Sequence, residues 1–442
     1  MNTPTAVGEA KFVMIRVFMW NKLREIWYIK DLRNSILYVL AMLVIFRIAA
    51  HIPIPGINLA NLKDLFARNE ILGLLNMLSG GAMANFSIVT LGVGPYITAS
   101  IIMQLLTMIV PRLEELSKEG SAGLQKINQY SRILTVPLAI LQAYGMINLF
   151  SQSNPPIIGH LTTLDLITTI SVMTAGTVFL MWLGELVSEK RVGNGISLII
   201  FAGIVERVPS SIQQAIVTFN QAQLMNMIIF AALALVTIAG VVLITEGQRN
   251  IPVSFARRIR GNRMYGGMDT YLPLRVNQVG MIPIIFAISI VLLPTLIGQI
   301  LLRIKTPTIV KIGHYLINLF QNQMIYGLVY FLLVVAFTYF YTSVIFHPKQ
   351  IAENLQKQGG FIPGLRPGQS TADFLNKTCN RITLTGALSL GLIAILPLIT
   401  RNVFKISAFT VGGASLLIVV SVVLETMKQI EAQLTMREYE GI

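Results

Sequence analysis

The chain has 442 residues, of which 54% are hydrophobic and 12% charged, about half the usual charged share of soluble domains. So few charges cannot solubilise that much apolar surface, which excludes an ordinary soluble architecture and makes lipid the solvent for most of the chain. A net charge of +14 would suit a nucleic-acid-binding protein, but the basic residues fall in a few inter-helical loops, as the positive-inside rule requires.

In chain order, residues 1–35 carry Lys11, Arg16, Lys22, Arg24, Lys30 and Arg33 without a clean apolar run ending in small residues. They predict a cytoplasmic amphipathic segment rather than a cleavable signal peptide. A spanning helix needs about 20 mostly apolar residues. Ten stretches qualify: 36–54, 86–110, 133–150, 166–186, 196–217, 227–244, 276–300, 324–346, 382–399 and 407–427. In the fifth, Glu206, Arg207 and Pro209 interrupt the apolar run, and the chain is expected to leave the membrane there. With the N-terminus in the cytoplasm, 25 Lys and Arg fall on the cytoplasmic side and 8 on the other, while Arg47 lies within the first span. That bias puts both termini in the cytoplasm.

The expected fold is therefore an all-α polytopic membrane protein of ten helices, split five and five. Residues 36–217 form an N-terminal half and 218–427 a C-terminal half, and 428–442 make a cytoplasmic tail. An odd number of spans per half means that a repeat relating the halves would be inverted across the membrane.

Residues 70–85 (EILGLLNMLSGGAMAN) are apolar but half the length of a span, and Gly80 and Gly81 break them from the next helix. Spacing leaves two readings open: a half-helix at membrane depth, shielded by protein or a water-filled cavity, and an external helix lying on the headgroups. Loop 245–275 holds Arg249, Arg257, Arg258, Arg260, Arg263 and Arg275, and loop 347–381 holds Lys349, Lys357, Arg366, Lys377 and Arg381. The positive-inside bias explains their sign but not their length. Ordered basic loops suit docking to an acidic partner, and ribosomal RNA phosphate is one candidate.

Other classes lack their chemistry. Cys379 is the one cysteine, and His51, His160, His314 and His347 are scattered, so no metal or cofactor is expected. There is no phosphate loop, His-Glu-x-x-His or Gly-x-Ser-x-Gly, hence no catalytic residue. An ion-coupled transporter would place several acids near the midplane, whereas Glu185 and Glu425 lie near the cytoplasmic ends of their spans. Arg47 is the one ionisable group deep in a span; an isolated charge there costs roughly 2.5–3.5 kcal/mol, so it should face protein or water.

Several long motifs then stand out: 46–56 (FRIAAHIPIPG), 79–82 (SGGA), 91–102 (LGVGPYITASII), 193–197 (GNGIS), 277–286 (NQVGMIPIIF), 361–368 (FIPGLRPG) and 412–420 (GGASLLIVV). Together they resemble the bacterial SecY family of channel subunits of the general protein translocase, from about residue 30 to 435. The resemblance implies two clamshell halves around an hourglass pore in the inner (plasma) membrane. It makes 73–85 a plug, with Leu74, Leu75, Met77 and Leu78. It implies a pore ring of Val93, Ile97, Ile196, Ile200, Ile285 and Ile418, with valine at 93 where the family more often has isoleucine. Such a collar would dewet and seal while offering no fixed chemistry to a passing chain.

Further implied are a lateral gate between spans two and seven, lined by Thr98, Gln142 and Ser289, and docking of the SecA ATPase or the ribosome at Arg257, Arg258, Arg260 and Arg366. Ordinary interhelical hydrogen bonding accounts for the gate residues nearly as well. SecE and SecG would be small membrane partners. Signal sequences, nascent polypeptides and the lipid bilayer would meet at the gate, where a helix of ten Leu-like residues gains roughly 3–6 kcal/mol on entering lipid. The function implied is a passive protein-conducting channel driven by a partner or a gradient.

Overall fold

The computed structural model describes residues 27–55, 61–62, 76, 79–151, 157, 162–217, 224–255, 258–260, 263–265, 269–302, 306–404 and 413–440. The α-helices among them are α1 (Lys30–Ala50), α2 (Gly94–Ile109), α3 (Pro111–Lys118), α4 (Ser121–Ser151), α5 (Thr163–Glu189), α6 (Gly195–Val217), α7 (Leu224–Glu246), α8 (Ile282–Leu301), α9 (Pro307–Gln321), α10 (Gln323–Ile345), α11 (Pro348–Lys357), α12 (Gln369–Phe404) and α13 (Gly413–Glu440). Each of the ten expected spans coincides with one of α1, α2, α4, α5, α6, α7, α8, α10, α12 and α13. Five of these (α1, α4, α5, α10 and α12) are by themselves long and apolar enough to cross a membrane, and α2 with α3, bent by 100°, makes a sixth. Helices suit this setting because they satisfy every backbone polar group within the segment.

Two departures from the sequence reading bear on the site. The second span begins as a helix only at Gly94, not at 86. Phe86 (φ 42°) and Gly92 (φ 60°) adopt left-handed backbone, which cannot continue a right-handed helix. Residues 86–93 cross the interior as turns, with their polar groups met by protein: Ile54 N–H donates to the Phe86 carbonyl at 2.9 Å, and Ile88 N–H to the Ile52 carbonyl at 3.0 Å. Phe86 is wholly buried, its ring 5.6 Å edge-on from that of Phe150.

α6 coincides with the expected fifth span and runs as one helix through Pro209 to Val217, since neighbouring groups in a packed membrane protein can satisfy what a proline leaves open. The second departure is α9, a helix between the seventh and eighth spans that hydropathy did not single out. It abuts α8 through two glycines: a Cβ on Gly313 would lie 2.9 Å from the Gly298 carbonyl oxygen.

The two basic loops form one folded unit. Strand β1 (Gln248–Phe255) pairs antiparallel with β4 (Thr270–Arg275), between which β2 (Arg258–Arg260) and β3 (Arg263–Tyr265) make a short hairpin. β5 (Gly360–Phe361), from the other loop, pairs with the end of β1, giving the strand order β4-β1-β5. Ile251, Val253, Leu274, Ile362 and Leu375 are buried together beneath this sheet. Burial of that apolar set fixes the register, since a slip of one residue would turn each strand's inward face outward.

The irregular stretch before α2 is held in place by α5. A Cβ on Gly176 would lie 2.0 Å from the Ile88 carbonyl oxygen, so backbone meets backbone there. Gly176→Ala should therefore destabilise the fold by roughly 1–3 kcal/mol, seen as a lowered thermal unfolding midpoint in detergent. An unchanged midpoint would contradict this packing.

Candidate functional site

The aliphatic residues singled out in the sequence come from four helices. Val93 precedes α2, and Ile97 follows one turn on, its N–H donating to the Val93 carbonyl at 3.0 Å. At the start of α6, Asn194 Oδ1 accepts from the N–H groups of Ile196 and Ser197 at 3.1 and 3.2 Å. This cap satisfies two orphan donors and sets the first turn, so that Ile196 and Ile200, four residues apart, share a face. α5 and α6 approach closely at Gly184 and Gly195, where a Cβ on Gly195 would lie 1.9 Å from the Gly184 carbonyl oxygen. Ile285 lies on α8 and Ile418 on α13.

Val93 and Ile200 are 0% exposed, Ile418 1%, Ile97 5% and Ile285 6%, and all five join one hydrophobic cluster, with half-buried Ile196 packed against it. The cluster thus takes in residues of α2, α6, α8 and α13 together with many from the other helices. Side chains of this kind offer water and ions no hydrogen bond.

Thr98 and Ser289 are buried on α2 and α8, and Gln142 is half-buried on α4. Both hydroxyls turn back on their own helices: Thr98 Oγ1 donates to the Gly94 carbonyl at 3.0 Å, and Ser289 Oγ to the Ile285 carbonyl at 2.9 Å. A pair that sequence reading missed joins α2 to α10, the helix packed beside α8: Tyr341 on α10 donates to Gln104 Oε1 on α2. The Phe286 ring on α8 lies tilted against the Tyr341 ring at 4.9 Å and edge-on to that of Phe337 at 6.1 Å. A glutamine in an otherwise aliphatic stretch was the available signal. Away from that pair, Gln433 Nε2 on α13 donates to the Arg191 carbonyl at 2.7 Å, again linking the halves.

Leu74, Leu75, Met77 and Leu78 lie outside the described residues. Around them the end of the segment is well defined. Asn76 and Ser79 are buried; Gly81 N–H donates to the Asn76 carbonyl at 2.7 Å and Ala84 N–H to Asn76 Oδ1 at 3.0 Å. Arg47, the charge in the first span, is not isolated. It forms an ion pair with Glu206 on α6 and donates to the carbonyls of Ala202 and Gly80, the latter at 3.2 Å. Glu206, treated in the sequence as a break in a span, is thus the partner that makes a membrane arginine tolerable.

On the cytoplasmic unit, Arg257 lies outside the described residues, and Arg258 and Arg260 belong to β2, opposite Tyr265 and Arg263 of β3. Arg366 is exposed on a tight turn. Leu365 N–H donates to the Ile362 carbonyl at 3.1 Å, Gly364 and Gly368 take φ of 86° and 98°, and Thr371 Oγ1 donates to the Arg366 carbonyl at 2.9 Å. Left-handed backbone at both glycines holds the loop in a shape other residues resist.

Long, largely apolar helices, five or six of them able to cross a membrane by length and composition, define a polytopic helical membrane protein. Solved structures share the fold. A protein-conducting channel, 20% identical over 89% of this chain and 91% of that one, superposes with a TM-score of 0.62. A SecY structure whose plug domain is described as stabilising the closed state, 21% identical with the same coverage, gives 0.60. Canine Sec61 from a ribosome–channel complex, 18% identical over 89% and 91%, gives 0.58.

The chain belongs to the SecY family. The SecY family model matches residues 87–427. The protein translocase subunits SecY of Thermotoga maritima (96% of this chain, 97% of that one) and of Mycobacterium tuberculosis strain H37Rv (93% and 97%) are each 42% identical to it.

Tyr341→Phe removes the bond between α2 and α10, which is worth about 0.5–1.5 kcal/mol. A cysteine placed at Ser289 should then react with a water-soluble thiol reagent roughly 2–10-fold faster. An unchanged rate would show that the bond does not restrain α2.

Proposed function

We propose that this chain is the protein-conducting channel subunit of the translocase, a passive pore that moves unfolded polypeptides across the plasma membrane and releases hydrophobic segments sideways into it. The observation that supports the reading is that six branched aliphatic side chains, from α6, α8, α13 and the start of α2, lie in or against one buried apolar cluster. A waist of this kind seals against ions by dewetting. It also lacks polar groups that would select among side chains, as a channel for arbitrary sequence must.

In this reading residues 36–217 and 218–427 are the two halves, the 73–85 segment is the plug, and the seam between α2 and α8 is the lateral gate. A SecY relative has a plug domain described as maintaining a membrane seal, which supports the second assignment. Buried Thr98 and Ser289 flank that seam with their hydroxyls bonded internally, so they would become available to a passing segment only when the helices part. Both termini lie in the cytoplasm, by the loop-charge bias.

The cytoplasmic sheet would be the docking platform. Its arginines suit ribosomal RNA phosphate or acidic surfaces of a motor ATPase such as SecA, and relatives of this fold include ribosome-bound channels. Energy would then come from the docked partner or from a membrane gradient. SecE and SecG are the expected small membrane subunits.

Two sets of variants test the reading. Ile97→Asn and Ile418→Asn should each wet the waist, raise ion flux through reconstituted vesicles, and export a reporter with a defective signal sequence. Wild-type flux and export in both would remove the waist assignment. Arg366→Glu should abolish ATPase-driven translocation into reconstituted vesicles while the subunit still inserts and purifies normally. Undiminished translocation would remove the docking assignment.

A further inference from the structure

We propose that the exposed face of α9 binds the headgroups of anionic phospholipid in the outer leaflet, and that two glycines clip α9 to α8, so that this contact anchors the external end of α8. The inference rests on reading α8 as a spanning helix of the gate with α9 just beyond it.

α9 is a helix in its own right. Pro307 opens it with a preset φ. Asn322 closes it by capping α10, its Oδ1 accepting from the Met324 N–H at 3.0 Å. At 15 residues it is too short to cross a membrane, which takes about 20. β4 of the basic sheet ends at Arg275 and α8 begins at Ile282, so α9 follows α8 at the end away from that sheet.

Its faces differ. Gly313 and Phe320 are buried and Ile317 is half-buried, whereas Lys311, Ile312, His314, Tyr315 and Asn318 are exposed. Tyr315 is 68% exposed and Ile312 50%. Such side chains gain from a headgroup layer, where aromatic rings and lysine stems settle. Residues 301–323 hold three cations, Arg303, Lys305 and Lys311, and no acid. On the external side that excess runs against the positive-inside bias, so topology does not account for it. Lys311 has no ion-pair partner among the described residues. The other short helices mix signs: on α3 Glu114 pairs with Lys118 at 2.7 Å, and on α11 Glu353 lies between Lys349 and Lys357. Cations without acids, interleaved with exposed tyrosine and isoleucine, fit a surface of lipid phosphates.

The clip is equally specific. A Cβ on Gly298 would lie 2.9 Å from Ile317 Cγ1 and 3.1 Å from the Gly313 carbonyl oxygen, and one on Gly313 would lie 3.2 Å from Leu302 Cδ2. Residues 313 and 317 thus meet 302 and 298, and the two helices run side by side in opposite directions. Held this closely, the end of α8 shifts only if α9 moves with it.

The test uses the purified translocase complex in phosphatidylcholine vesicles with or without phosphatidylglycerol. Asn318→Cys carries an environment-sensitive fluorophore, the native Cys379 being buried. A nitroxide on the lipid headgroup should quench it, more strongly with phosphatidylglycerol, and a nitroxide at the acyl chain end should not. Lys311→Gln changes an exposed residue, should fold normally, and should weaken the apparent phosphatidylglycerol affinity roughly five-fold. Quenching indifferent to phosphatidylglycerol, or by aqueous iodide alone, overturns the lipid site. Protection from both lipid and iodide points to a protein partner and overturns it too.

The anchor has its own readout. A cysteine at Ser289 should react with a water-soluble thiol reagent roughly 2–5-fold more slowly when phosphatidylglycerol is present, and Lys311→Gln should abolish the difference. A rate unmoved by lipid, beside quenching as expected, keeps the headgroup site and overturns the anchor. In intact cells a membrane-impermeant reagent should label Asn318→Cys from outside. Labelling from the cytoplasmic face alone overturns the topology reading, and the outer-leaflet site with it.

Discussion

A membrane-spanning conduit for polypeptides must be open to a chain of any sequence and closed to water and ions, and the same few residues have to meet both demands. Branched aliphatic side chains do so because they bind neither water nor a passing side chain through fixed polar groups. In this protein Val93, Ile97, Ile200, Ile285 and Ile418 are buried in one cluster drawn from both halves. Much of the surrounding architecture serves to bring those residues together. The turns at 86–93 place Val93 at the threshold of α2, and their backbone is met by residues 52–54 rather than by lipid. Glycines at 176, 195 and 203 let helix and loop backbones approach within distances a Cβ would forbid.

The contacts between the halves differ in strength from one side of the molecule to the other. Gln433 bonds to a backbone carbonyl beside the packed pair α13 and α6. α2 is tied to α10, beside α8, by a side-chain pair, Tyr341 with Gln104, set among aromatic rings. Side-chain bonds in a membrane interior contribute modestly, about 0.6 kcal/mol on average. Outside the spans, β5 of one basic loop completes the sheet of the other. A force applied at either loop would therefore be felt by both, and through α7, α8 and α12 by the C-terminal half.

The sequence revealed the spans through hydropathy, because lipid imposes a uniform demand on every spanning segment. The residues proposed for the waist are ordinary core residues until motifs single them out; nothing in the spacing of Ile285 or Ile418 distinguishes them from their neighbours. Hydropathy also misplaced the start of α2, since residues 86–93 are apolar and only backbone handedness at Phe86 and Gly92 shows that they are turns. Glu206 was legible as an anomaly and not as a partner. That pairing joins positions 159 apart in the chain, and no local pattern encodes such a distance. The pairing of β5 with β1 escaped notice for the same reason.

The central claim is that a translocating chain passes through the ring formed by Ile97, Ile200, Ile285 and Ile418. Photo-crosslinking from these four positions to a polypeptide stalled in mid-translocation tests it most directly, with Leu40 and Leu243, both exposed on the outer faces of α1 and α7, as controls. The account predicts adducts from all four ring positions and none from the controls. Adducts absent from the ring, or as frequent at Leu40 and Leu243, would contradict it.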